Sequence, residues 1–218
     1  MGGTVGTAAT ALPTVNRPEV QLVGNRNNDG VILGGNNGIV RGLSLYGFSH
    51  DITVNTDITN FLIEQNVVGT SATSFTDPGN NVRTLNEGIL LSNADNGTVR
   101  NNLVGYNGGM GVWVLGSGNG ANGNTIAGNE IRGNAQESKP APEGLVFDGL
   151  ELQGASTNNT VSGNLITANY GNGIDSFGNG VGGTVGTAAT ALPTVNRPEV
   201  QLVGNRNNDG VILGGNNG

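Results

Sequence analysis

The sequence has no cysteine, one histidine and one tryptophan, and only 4% of its 218 residues are aromatic. Without cysteine the chain has no disulfides, thiolate metal sites or thiol nucleophiles. Charged residues make up 11%, and a net charge of -7 without a basic cluster disfavours nucleic acid as a partner. No stretch reaches the ~18 apolar residues that would predict membrane insertion. If the protein is exported, we expect its signal to lie outside this window.

What the sequence does contain is glycine, at 40 of 218 residues, together with abundant asparagine. Ordinary globular enzymes do not have this composition. Val, Ile and Leu placed regularly between turn residues predict a repetitive core and not a disordered chain. The stretch from Gly2 to Gly38 recurs letter for letter from Gly182 to Gly218, 180 positions further on. Because packing alone tolerates many substitutions, this identity predicts a window cut from a longer tandem array.

Short apolar strands with alternating polar residues follow turn residues at intervals that are alternately short (21 to 24 residues) and long (37 or 38). These segments begin at Gly30, Asp51, Gly88, Gly111, Gly149, Gly173 and Gly210. A coil of ~22 residues suits a parallel β-helix, in which strands of successive coils pair ~4.8 Å apart. We therefore predict an all-β solenoid that is continuous over 1–218, with about six coils per 180-residue unit and subrepeats near 30–87, 88–148 and 149–209.

The long coils carry insertions of about 14 residues, which begin near Thr70, Ala135 and Gly186. All three contain proline, which suits a loop and not a central strand. Since unpaired backbone is costly to bury, we expect these loops to leave the cylinder. If all of them leave from the same corner, they form a lateral comb.

Two runs, NGTVRNNLVGYNGGMGVWV and NNTVSGNLITANYGNGI, resemble the right-handed parallel β-helix repeats of pectate-lyase-like and bacterial surface proteins. The segment NVVGTSATSFTDPGNN resembles a loop found in such surface repeats. The resemblance implies a right-handed, single-stranded β-helix of adhesin type and an extracellular or cell-surface location. It specifies a fold and not a reaction, because the same fold hosts lyases, hydrolases, epimerases and inert shafts.

Acidic residues recur at the coil openings. Asp29, Glu87, Asp148 and Asp209 each directly precede the glycine that opens a subrepeat. Asp51 fills the corresponding place in an intervening coil, so Asp29, Asp51 and Glu87 are expected to stack about 5 Å apart. No cofactor is predicted, although three stacked carboxylates make a weak candidate site for Ca²⁺ or for acid–base chemistry on a sugar acid. The favoured interpretation is that these acids cap exposed backbone donors, with no catalytic residue assigned.

The single histidine, His50, lies in YGFSHD, which resembles the YGFDPH element of β-helix alginate epimerases. Tyr46 and His50 stand at the matching positions, whereas Ser49 replaces the first acid of that element and its proline is missing. A histidine without a partner is more often a turn or surface residue than a general base. We therefore predict a structural position for His50.

Asparagine recurs at equivalent places in the second half of several coils. Examples are Asn101, Asn102, Asn129 and Asn164. Buried asparagines at such positions can form ladders, in which each amide bonds to its neighbour in the next coil and to local backbone. We predict a structural asparagine ladder here.

The leading interpretation is a structural module of an extracellular fibre, adhesin shaft or surface layer, without enzymatic activity. Its expected partners are copies of itself, stacked end to end, and surface glycans. The first alternative is a carbohydrate-active β-helix, a polysaccharide lyase or uronate epimerase, that uses Asp29, Asp51 and Glu87 with Arg41 or Arg100. Sparse aromatic residues and the missing basic cleft count against it. The second alternative is a calcium-dependent, glycan-binding adhesive module whose proline-containing loops make the contacts.

Overall fold

The computed structural model describes residues 15–137 and 147–177, together with the backbone of strands at 4–5, 183–185, 200–203 and 211–214. The described residues form 22 short strands and no helix. A short antiparallel pair consists of β1 (Thr4–Val5) and β2 (Val15–Asn16). All other strands belong to three parallel sheets. No helix in the described part of the chain is long and apolar enough to span a membrane.

Each coil passes through the three sheets in the same order. The first sheet contains β4 (Val31–Leu33), β7 (Ile52–Val54), β10 (Ile89–Ser92), β13 (Val112–Gly116), β16 (Leu150–Gly154), β19 (Ile174–Phe177) and β22 (Val211–Gly214). The second contains β5 (Ile39–Arg41), β8 (Leu62–Glu64), β11 (Thr98–Arg100), β14 (Thr125–Ala127), β17 (Asn159–Ser162) and β20 (Gly183–Val185). The third contains β3 (Val20–Val23), β6 (Leu43–Tyr46), β9 (Val67–Val68), β12 (Leu103–Gly105), β15 (Glu130–Arg132), β18 (Asn164–Thr167) and β21 (Val200–Val203).

Equivalent residues of successive coils stack directly on one another. In the first sheet, Ile52 pairs with Val31 on one side and with Ile89 on the other. Side chains of this column point inward and, from Ile52 to Ile174, are fully buried. The predicted β-helix with alternately short and loop-bearing coils is thereby confirmed. Its division into subrepeats at 30–87, 88–148 and 149–209 stays a prediction.

The corner between the second and third sheets is held by a buried asparagine ladder. Its members are Asn66, Asn102, Asn129 and Asn164. In each step the backbone N–H of one asparagine donates to the side-chain oxygen of the next, at 2.8 to 3.0 Å. Asn101 does not belong to the ladder, because it has a left-handed backbone conformation (φ 55°) and its neighbour Asn102 takes the buried position. The ladder is therefore present, but shifted by one residue in that coil.

The first insertion, named here the 70–87 loop, follows β9 and does not project from the helix. Its Phe75 packs in a second hydrophobic cluster with Val67 and Leu103, on the outer face of the third sheet. The insertion after β15 begins at the same corner. Residues 138–146 of that insertion, and the insertion that begins near Gly186, lie outside the described ranges. The lateral comb therefore stays a prediction.

Candidate functional site

The corner that leads into the first sheet brings together most of the predicted acids, but in a different register from the expected one. Strand pairing aligns Val31, Ile52 and Ile89, so the residues two positions earlier also stack. The corner row therefore runs through Asp29, His50, Glu87, Met110, Asp148 and Asn172. His50, and not Asp51, stands between Asp29 and Glu87.

Asp51 occupies the place that glycine has in the neighbouring coils. Its side chain is fully buried, and its Oδ1 accepts a hydrogen bond of 2.6 Å from the hydroxyl of Thr84. Burial raises the pKa of Asp51 well above its usual range. The predicted stack of Asp29, Asp51 and Glu87 is thus wrong, because a shift of one residue turns the side chain from the surface into the interior.

The structure gives no direct support for a metal at these acids. In residues 15–137 and 147–177, no group of three or more His, Cys, Asp or Glu side chains is arranged to hold a metal ion. Binding of Ca²⁺ by Asp29, Asp51 and Glu87 stays a prediction.

His50 bridges two carboxylates, which the sequence did not lead us to expect. Its Nδ1 lies 2.7 Å from Asp29 Oδ1, and its Nε2 lies 3.0 Å from Glu87 Oε2. Burial disfavours the charged imidazole, but the hydrogen bonds to Glu87 and Asp29 outweigh it and raise the pKa of His50 to about 9. At neutral pH the ring is therefore charged and both of its N–H groups are used. This arrangement clamps three coils together.

Replacing His50 by glutamine should destabilise the fold in a pH-dependent way. The folded-state pKa of about 9 lies above the ordinary value of 6.5. The stabilisation of the fold by charged His50 is therefore complete below pH 6.5 and is lost as the pH rises through 9. We expect a difference from the wild type on the order of 2 kcal/mol at pH 6, which shrinks toward zero at pH 10. Thermal melts at several pH values measure it, with Asp57→Asn, an exposed charge change, as the control. A difference that does not vary with pH would contradict the clamp.

Further along the same edge lies a group of side chains that we call the acid cluster, formed by Asp148, Glu151, Asn172 and Asp175. Glu151 and Asp175 are register partners in β16 and β19, and Trp113 of β13 is the partner of Glu151 on the other side. The backbone N–H of Asn172 donates to Asp148 Oδ1 at 2.5 Å, and its side-chain Nδ2 lies 3.3 Å from Asp175 Oδ2. Three carboxyl groups and one amide thus lie close together, and Asp148, Glu151 and Asn172 are buried.

The electrostatics of the acid cluster are strongly perturbed. Burial, with the charge of Asp175 adding to it, raises the pKa of Asp148 to about 7. Burial and the neighbouring acids, Asp148 first among them, raise the pKa of Glu151 to about 8. Burial also raises the pKa of Asp175. Near neutral pH this cluster therefore holds both a protonated and an ionisable carboxyl, which is the arrangement that acid–base catalysis requires.

Several buried polar atoms of this region have no hydrogen-bond partner in the described residues. They are Asp175 Oδ1, Asn172 Oδ1 and Trp113 Nε1. The indole N–H of Trp113 faces Glu151 without reaching good hydrogen-bond geometry. Unpaired buried polar groups are costly, so these atoms make the region a departure from the otherwise well-paired corners of the helix.

Sequence reasoning included Asp148 but missed Glu151, Asp175 and Trp113. A signal was present, since these three share one column, the second residue after each coil-opening glycine. In the earlier coils the same column contains Ile32, Thr53 and Leu90. Two consecutive acids at an outward strand position, next to the only tryptophan, mark a departure from the repeat.

The arginines proposed for the enzyme alternative lie elsewhere. Arg41 Nε and Arg100 Nε donate to the two carboxylate oxygens of Glu64, at 2.6 and 2.7 Å. All three residues belong to the second sheet, so they brace neighbouring coils on a different face. Neither arginine contributes to the acid cluster.

Comparisons with known proteins agree with this fold. A family model described as a right-handed beta helix region matches residues 70–186. The A-module of the mannuronan C-5 epimerase AlgE4 from Azotobacter vinelandii is similar over 90% of this chain and 55% of its own, with 16% identity and a TM-score of 0.58. The periplasmic alginate epimerase AlgG is similar over 87% of this chain and 44% of its own, with 15% identity and a TM-score of 0.52. No curated protein matches the sequence.

These findings correct the functional interpretation. The prediction of a structural module without enzymatic activity is wrong, because the similar structures are a mannuronan C-5 epimerase module and an alginate epimerase. This chain spans about half the length of each, and at such identities the likeness shows the fold alone. The family model covers more than half of the sequence. The chain therefore belongs to the right-handed β-helix family.

Proposed function

We propose that this chain carries the acid–base site of a carbohydrate-active enzyme, a polysaccharide lyase or uronate epimerase. The observation that supports the proposal most is the acid cluster, in which the pKa of Asp148 is raised to about 7 and that of Glu151 to about 8. Paired titratable groups with separated pKa values identify an acid and a base. Glu151 lies at an outward position of β16, and Asp148 lies in the corner row directly before that strand.

The chemistry of both reactions starts with the same step. A base removes the proton from C5 of a uronate unit, and the electron pair moves into the adjacent carboxylate. A lyase then breaks the bond between C4 and the glycosidic oxygen, whereas an epimerase returns a proton to the other face of C5. Asp148, with the lower pKa, ionises first and serves as the base. Glu151 keeps its proton and donates a hydrogen bond to the substrate carboxylate as its charge grows.

Trp113 supplies a flat aromatic surface beside these groups, against which a sugar ring can stack. We further propose that the protein works outside the cytoplasm, in the cell envelope or at the surface. The periplasmic location named for one similar epimerase supports this.

The proposal is tested by incubating the protein with a panel of uronate polymers. Ultraviolet absorbance detects the unsaturated ends that a lyase forms, and proton NMR detects inverted C5 centres. We expect one of the polymers to be converted by the wild type and, at the same rate, by Asp57→Asn. Cleavage of a neutral polysaccharide without either product would contradict the assignment, as would the absence of conversion across the whole panel.

A further inference from the structure

A cavity lies beside the third sheet, at a place that no sequence motif indicated. The cavity, of about 420 Å³, is lined by Asp77, Tyr106, Arg132, Gly133, Gln136 and Ala168. Its volume falls within the ~300–1,000 Å³ that small-molecule sites occupy. Three lining residues, Tyr106, Gly133 and Ala168, directly follow β12, β15 and β18 and stack on one another. The cavity is therefore built by the turn positions after the third sheet, with the 70–87 loop as its wall.

The walls of this cavity are held rigidly. The guanidinium carbon of Arg132 lies 4.5 Å from the ring centroid of Phe75 and 5.8 Å from that of Tyr106. The two rings contact each other edge to face, with centroids 5.8 Å apart. Arg132 also donates to the backbone oxygen of Phe75 at 2.9 Å. Such stacking fixes the guanidinium before any ligand arrives, which lowers the entropic cost of binding.

The charges around the cavity are paired inside the protein. Arg132 lies 3.0 Å from a carboxylate oxygen of Glu130, and Asp77 accepts from Arg83 at 2.8 Å. Among the described residues that line the cavity, no charged side chain lacks a partner of opposite charge. The two terminal nitrogens of the guanidinium carry further N–H groups beyond the bonds to Phe75 and Glu130. An aromatic ring, an arginine, a carboxylate and the Gln136 amide together suit a ligand with many hydroxyl groups and an apolar face.

We infer that this cavity is a second saccharide-binding site, selective for uncharged sugar units and separate from the acid cluster. The cavity would bind its ligand whether or not the acid cluster is catalytic, so this inference goes beyond the proposed function. In a native enzyme it would hold a neutral branch or a neutral polymer alongside the coil stack. The proposed substrate of the acid cluster, by contrast, is a sugar acid.

Calorimetry with neutral oligosaccharides tests the inference, and two substitutions are designed around the backbone. Tyr106 and Ala168 have left-handed conformations (φ 60° and 56°), which asparagine tolerates well. Tyr106→Asn removes the ring, and Ala168→Asn fills the cavity without removing any lining group. We expect each to weaken binding at least tenfold, whereas Tyr106→Phe stays within about threefold of the wild type. Ala168→Asn should change the melting temperature little, while Tyr106→Asn should lower it because the contacts with Phe75 and Arg132 are lost.

Two further readouts separate this site from the acid cluster. Asp148→Asn should bind the neutral oligosaccharide as the wild type does. Trp113, the only tryptophan, lies beside the acid cluster, so its fluorescence should not respond to that ligand. The inference would be overturned if no neutral oligosaccharide bound the wild type, if folded Tyr106→Asn and Ala168→Asn kept full affinity, or if Asp148→Asn abolished binding.

Discussion

Replacing Asn129 by leucine should lower the free energy of unfolding by about 4 kcal/mol, enough to prevent folding if the native protein is only marginally stable. Asn129 is fully buried and occupies the middle of the ladder. Its Nδ2 donates to Val99 O at 2.9 Å and to Asn164 Oδ1 at 2.9 Å. Its Oδ1 accepts from both the backbone and the side chain of Asn102, at 2.9 and 3.0 Å. Leucine has a similar volume but leaves these partners buried and unpaired.

Asn55→Leu is the matched control, because Asn55 is solvent-exposed in a corner of the same helix. Its replacement should change stability by no more than about 0.5 kcal/mol. Chemical denaturation of the two variants and the wild type measures the difference. Equal effects at the two positions would show that the ladder does not stabilise the stack.

The substitution Asp148→Asn should reduce the rate of polymer conversion by 10²- to 10⁴-fold, the usual loss when a general base is removed. Asparagine keeps the oxygen that accepts the 2.5 Å bond from the backbone of Asn172, so the local structure should persist. Only the ability to take up a proton is lost. Melting curves that match the wild type, together with the loss of rate, are the expected pair of results.

The pH profile of the wild type follows from the same two groups. Below about pH 7 Asp148 is protonated and cannot act as the base, so the rate rises as the pH approaches this value. Above about pH 8 Glu151 is also ionised and repels the substrate carboxylate, so the rate falls. We expect a bell-shaped dependence of kcat/KM with its maximum between these values. In Glu151→Gln the decline above pH 8 should disappear, and a decline that persists would contradict the role of Glu151.

The fold could be predicted from the sequence because its cause is periodic. Strands recur at intervals of 21 to 24 residues, or 37 and 38 with an insertion, and the glycine and asparagine corners mark each turn. The register at the corner before the first sheet was harder to predict than the fold. Asp51 stands where other coils have glycine, and only the pairing of the strands shows that His50 lies in the corner row between Asp29 and Glu87. A difference of one residue decides between a buried carboxyl and a surface cation.

The acid cluster was harder to predict because its members come from different coils. Glu151 and Asp175 are 24 positions apart in the chain, and each alone is an ordinary polar strand residue. They become a site when β16 and β19 lie side by side and burial raises their pKa values. The position of the 70–87 loop likewise depends on Phe75 finding Leu103 on the third sheet, a contact that no local pattern encodes.

The most direct test of the proposed chemistry is the release of tritium from a uronate polymer labelled at C5. Both lyases and epimerases must break this bond, so the measurement does not depend on which product forms. We predict release into water by the wild type and by Asp57→Asn, and release at least 100-fold slower by Asp148→Asn. No release above the background, or release that Asp148→Asn leaves unchanged, would contradict the assignment of the acid cluster as the catalytic site.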